Sequence, residues 1–129
     1  MGKYLLTSPL SIIRPRSKPL YLNLNFYRNA HFQSLNGMKK KYKELMANQI
    51  NKLPTFSKIE IHYKLFPKTK RLCDINNIIS ITDKFFSDAL VELGKLEDDS
   101  YLFIPKTVSE IGEVDNLNPR VEITIKEIK

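Results

Sequence analysis

The sequence predicts an α+β domain: a single small mixed sheet with two helices packed on it, spanning residues 1–129 as one unit. Three observations predict it. Lys58–Phe66 (KIEIHYKLF) and Val121–Ile128 (VEITIKEI) alternate apolar and polar residues, the period of a half-buried strand. Leu35–Leu53 and Ile75–Leu93 carry apolar residues at helical spacing. Strands and helices are interleaved along the chain, and two helices can cover one face of a small sheet.

Taken in order, residues 3–13 mix apolar and small polar side chains, and Leu10–Ile13 is the best candidate for a first strand. Arg14–Pro19 is a basic turn whose two prolines exclude a central strand. Tyr21–Phe26 (YLNLNF) alternates and reads as a strand, followed by a loop Tyr27–Phe32 rich in aromatic rings and donors. Such a loop suits stacking on exposed bases, and ordinary packing of Tyr27 and Phe32 explains it equally well. On the first helix Leu35, Met38, Tyr42, Leu45, Met46, Ile50 and Leu53 form the apolar stripe, and Pro54 ends it. Pro67–Arg71 is a basic loop leading to Asp74, which is placed to cap the second helix; Gly94 is placed to stop it. Asp98-Asp99 then lead into a predicted strand at Tyr101–Ile104, and Pro105–Pro119 reads as a loop or flap before the final strand.

Charge narrows the function. The net charge is +7, yet residues 1–73 hold 15 Lys/Arg against 2 Asp/Glu, while residues 74–129 hold 6 against 12. Crowding of like charge in the first part points to a polyanionic partner, with nucleic acid the default because phosphate contacts gain by counterion release. Solubility alone is the bland alternative. The one cysteine, Cys73, excludes an intramolecular disulfide and a zinc site built on several thiolates. His31 and His62 are too isolated to suggest a metal site. No apolar run reaches the roughly 20 residues of a membrane span, and the N-terminus lacks a signal-peptide pattern. A cytoplasmic protein without a membrane partner is expected.

The stretch Cys73–Tyr101 carries the candidate chemistry. Ile75, Ile78, Ile79, Thr82, Phe85, Phe86, Ala89, Leu90 and Leu93 fall on one helical face; Asn76, Asn77, Ser80, Asp83, Lys84, Ser87 and Asp88 fall on the other. Carboxylates near basic loops suit a hard divalent cation acting on a phosphodiester, because Mg²⁺ takes oxygen ligands and needs few of them from protein. Each Asp also has a structural explanation: Asp74 as helix cap, Asp98-Asp99 as a turn.

These residues resemble the RusA-type Holliday-junction resolvases, whose members have an Asp-x-Asp-Asn opening to a helix, a helical Lys, an Asp-Ala-Leu and a later Asp-Asp. Here the corresponding stretches are Asp74-Ile75-Asn76-Asn77, Lys84, Asp88-Ala89-Leu90 and Asp98-Asp99. The resemblance runs from about Leu22 through the last strand. It implies a homodimeric, Mg²⁺-dependent endonuclease (Mn²⁺ as a substitute) that nicks four-way or other branched DNA symmetrically, of a kind common in phages. Three departures stand out. Asn76 replaces the second Asp, Ser80 stands where the Lys is expected, and the helix carries four extra residues before Asp-Ala-Leu. Lys84, one turn beyond Ser80, could replace the Lys, and Asp83 could supply the missing charge.

The resemblance therefore implies a metal held by Asp74 and Asp99, with Asp98 or, from its place on the polar face, Asp83 as a further ligand and Asn76 as a neutral or water-mediated one. Asp74, Asp99 and Lys84 are the catalytic candidates, Lys84 balancing charge on the phosphate. Arg14, Arg16, Arg28, Lys68, Lys70 and Arg71 are the candidates for holding the DNA backbone. Two rival readings remain: a branched-DNA-binding protein without catalysis, Asn76 marking the lost carboxylate, and a module docking an acidic protein.

Overall fold

A computed structural model of the chain describes residues 2–13, 18–30, 32–70 and 74–128. The elements are β1 (Lys3–Ser8), β2 (Ser11–Ile12), β3 (Leu20–Tyr21), α1 (Leu24–Asn29), α2 (Phe32–Ile50), β4 (Ile59–Phe66), α3 (Ile75–Glu92), β5 (Lys106–Ile111) and β6 (Arg120–Glu127). Four strands form a mixed sheet in the order β1-β6-β4-β5, and β2 and β3 form a separate two-stranded ribbon. β6 is antiparallel to both β1 and β4, whereas β5 runs parallel to β4. The α+β expectation holds.

The alternation of β4 does what its period requires: Ile59, Ile61, Tyr63 and Leu65 are buried, and the residues between them are half-buried on the other face. The register places Ile61 opposite Ile125 and Tyr63 opposite Ile123, so both strands give the same face to the core. Helices α2 and α3 cover that face. From α2 come Met38, Tyr42, Met46 and Ile50; from α3 come Ile79, Ile81, Thr82, Phe85, Phe86, Ser87, Ala89 and Leu90. Each large aliphatic or aromatic side chain buried this way contributes about 1.5–3 kcal/mol. Leu45, expected on the α2 stripe, is instead exposed. Salt bridges Lys39–Asp88 (3.6 Å) and Lys43–Glu92 (2.8 Å) edge the α2–α3 contact. Ser8 Oγ and Tyr42 Oη share a buried hydrogen bond of 2.7 Å that joins β1 to α2.

Several expectations need correction. The first strand is Lys3–Ser8, with only Ser11–Ile12 extended near the expected Leu10–Ile13. Tyr21–Phe26 is not a strand: Asn23 caps a helix there, its Oδ1 accepting from Phe26 N at 2.8 Å. Tyr27 lies on that helix and packs edge-on against Phe85 (6.1 Å), so it is a packing residue and not a base-stacking loop residue. Tyr101–Phe103 form a turn, and the strand lies later, at Lys106–Ile111 inside the expected flap.

Candidate nucleic-acid interface and acidic cluster

Helix α3 is the spine on which the candidate residues are arranged. Asp74 caps it, its Oδ1 accepting from Asn76 N at 3.0 Å. Its far end closes with the Lys95 N–H donating to Leu90 O (2.9 Å) and Gly94 in the left-handed region at φ 78°. That backward bond is the Schellman pattern, and the left-handed residue after the cap is where glycine costs least.

Because β4, α3 and β5 form a parallel strand–helix–strand unit, the start of α3 and the approach to β5 lie at opposite ends of the sheet. The Asp99 carboxyl is raised above the ordinary Asp range, first by partial desolvation, then by the negative charge of Asp88 and Asp98 and a hydrogen bond with Asp88. Asp88 lies fourteen residues along α3 from Asp74, roughly 21 Å at the helical rise. The expected pairing of Asp74 with Asp99 on one cation is therefore not formed within the chain. Asp98 is exposed beside Asp99.

Asp83 does not join Asp74 either. It lies nine residues on, roughly 14 Å along the axis. Its Oδ1 accepts from the buried Tyr63 hydroxyl at 2.5 Å and from Ser87 Oγ at 3.2 Å. It is the acceptor that makes a tyrosine tolerable on the core face of β4. Burial, and then the Asp83 charge, push the Tyr63 phenol well above its usual range, keeping it a donor. Asn76 is exposed, its backbone N–H satisfied by the Asp74 cap. Its neighbour Asn77 has the structural role: Oδ1 accepts from Leu24 N at 2.9 Å, fixing the start of α1 to the start of α3. Lys84 is exposed on the turn before Asp88, on the acidic half of the helix and not at its mouth.

The two ends of α3 thus differ in charge. At its start lie the beginning of α1, bonded to Asn77, the exposed Asp74 cap, and the β4–α3 loop with exposed Lys68 and Lys70. Arg28, by contrast, is exposed at the far end of α1, next to Tyr27, which packs on Phe85. At the end of α3 lie Asp88, Asp98 and Asp99, with Asp88 also in ion-pair contact with Lys39. Arg14, Arg16, Arg71, His31 and Cys73 lie outside the described residues. The sequence shows Asp88 on the polar face of α3 and in the Asp-Ala-Leu stretch, not as a partner of Asp99. Its partnership with Asp99 depends on where the loop after α3 turns back, which helical spacing does not encode.

Among the described residues no group of three or more His, Cys, Asp or Glu side chains converges as a metal site. Asp88 and Asp99 are hard oxygen donors of the type Mg²⁺ takes, so this pair fits part of such a site; Asp74, Asn76 and Asp83 do not join it. Among the described residues no helix is long and apolar enough to cross a membrane. No protein-family model matches the chain, and no curated protein matches it.

Proposed function

We propose that this chain is a branched-DNA-binding protein that acts as a homodimer on four-way junctions and related structures. The observation that carries this reading is the pair of exposed cations Lys68 and Lys70 on the loop that leads into the mouth of α3. The positive end of the helix dipole lies there as well, with the Asp74 carboxylate taking the Asn76 N–H. Apart from the Asp74 cap, the acidic residues of Cys73–Tyr101 lie further along α3 or beyond its end. A homodimer would present two such cationic mouths, matching the two-fold symmetry of a junction.

The RusA-type resemblance adds a second reading, Mg²⁺-dependent nicking, and one specific observation favours it: the contact of Asp88 with Asp99. A carboxylate raised by neighbouring negative charge, as Asp99 is, is relieved by a cation as well as by a proton. In this reading Asp88 and Asp99 hold the ion, Asp98 adds negative charge, and Lys84 faces the phosphate. The ion would supply polarisation of the phosphodiester.

One assay separates the readings. Purified protein is mixed with labelled four-way, flap and linear duplex DNA, in EDTA and in Mg²⁺ or Mn²⁺. Binding that prefers the four-way form and leaves it intact in every metal supports the first reading. Paired nicks that require the metal and vanish in D99N support the second. Equal affinity for branched and linear DNA, with no cleavage, would remove both.

A further inference from the structure

The mixed sheet has two edges, and the chain treats them differently. Outside β1, the Gln49 side-chain amide accepts from Thr7 N (2.8 Å) and donates to Thr7 O (2.9 Å), imitating a neighbouring strand. Outside β5 no described strand pairs, and every residue of the strand except the half-buried Val108 is exposed. An open edge of this kind templates further pairing unless something blocks it. Within Lys106–Ile111 there is no proline, and the charges are one Lys and one Glu.

The surroundings are also unusual. Nine large hydrophobic side chains are exposed among the described residues, and five of them flank or end this strand: Tyr101, Leu102, Ile111, Val114 and Leu117. Such a concentration marks an interaction surface, whereas single exposed hydrophobic residues do not.

We propose that β5 is the homodimer edge, pairing antiparallel with β5 of a second copy about a two-fold axis at Val108. The inference rests on the homodimer reading above and supplies its surface. In this register Lys106 of each copy faces Glu110 of the other, Thr107 faces Ser109, and Val108 faces its own counterpart. A shift of two residues in either direction loses both ion pairs. A parallel arrangement would set Lys106 against Lys106. The intrachain contact of Lys106 with Glu60 is long, at 4.0 Å, and leaves the ammonium largely exposed for a second carboxylate. Antiparallel pairing also brings Tyr101 and Leu102 of one copy to the end of the strand that carries Ile111 and Val114 in the other. A short ladder alone falls below the roughly 800 Å² per partner of a standard interface, so these apolar flanks are part of it. The product is one continuous sheet of two four-stranded halves.

The test uses the full chain with C73S as background. On mild oxidation V108C should give a disulfide-linked dimer, because residues facing each other across such a ladder bring their Cβ atoms about 4.5–5.5 Å apart. L5C on β1 should not. By light scattering, K106E and E110K should each weaken association, on the order of tenfold because the symmetry repeats each like-charge pair. The K106E/E110K double variant should restore it, with thermal melts confirming that each variant is folded. A dimer that ignores the charge reversals and does not cross-link through V108C overturns this interface while the homodimer reading stands. A chain that is monomeric at all concentrations overturns both. Dimerisation through V108C without junction binding upholds this inference and overturns the DNA reading.

Discussion

Replacing Asp83 separates a structural carboxylate from a metal ligand. Its Oδ1 accepts a hydrogen bond from the Tyr63 hydroxyl at 2.5 Å, and Tyr63 is 1% exposed, so removing the acceptor leaves a buried hydroxyl without its protein partner. A hydrogen bond to a charged group contributes about 1.5–3 kcal/mol, and a buried hydroxyl left without a partner costs about 1–3 kcal/mol, two views of the same loss. D83A should therefore destabilise the fold by about 2–3 kcal/mol. Y63F removes the donor but leaves Asp83 half-buried with Ser87 still donating, so it should cost only about 1 kcal/mol. For a chain of 129 residues each kcal/mol moves Tm by about 3–5 °C, giving drops of about 10 °C for D83A and about 4 °C for Y63F. Urea and thermal unfolding of the two single variants and the double variant measure this, and the two effects should be strongly non-additive. If D83A melts like the wild type while losing stabilisation by added Mg²⁺, the assignment of Asp83 to the fold is wrong.

Three further outcomes follow from the geometry. Because its pKa is raised, Asp99 holds its proton to higher pH in the folded chain; stability falls as pH rises through that folded value, and the cost is absent below the ordinary 3.8. D99N should thus raise Tm at pH 7 and leave it unchanged at pH 3, and a variant less stable at pH 7 would contradict the crowding of Asp88, Asp98 and Asp99. A Cβ at Gly112 would lie 2.7 Å from Phe66 Cε2. That ring is held beneath the Arg120 guanidinium at 4.1 Å, so G112A should cost about 1–3 kcal/mol in urea unfolding, and a neutral result would mean the ring moves freely. D74N should leave stability within about 0.5 kcal/mol of wild type, since Asn caps a helix as well as Asp, whereas D74A should lose about 1 kcal/mol by the same measurement.

How much of this was legible depended on periodicity. Helix α3, its Asp74 cap and Gly94 stop, and the strands β4 and β6 follow directly from spacing, because one face of each is buried along its length. β5 has no such face: Thr107, Ser109 and Ile111, in register with the core-facing residues of β4, are exposed, and the one half-buried residue, Val108, lies beside His62 on the opposite face, so KTVSEI carries no alternation to read. YLNLNF alternates, but Asn23 uses its side chain to start a helix, a local bond that overrides the pattern. On the site, helical spacing correctly placed Asp83 on the polar side of α3 but could not show Tyr63 reaching it from β4. The separation of Asp74 from Asp99 was implicit in the topology. A helix between parallel strands starts at one end of the sheet and returns the chain to the other, so residues at its mouth do not meet those just before the next strand.

The most direct test of the account is the salt dependence of four-way-junction binding by wild type and K68A/K70A, followed by fluorescence anisotropy. If the mouth of α3 holds the phosphate backbone, the variant binds more weakly at every salt concentration, and the slope of log K against log salt falls by about 2. Unchanged affinity and slope in a folded K68A/K70A protein would mean that DNA is held elsewhere, or not at all.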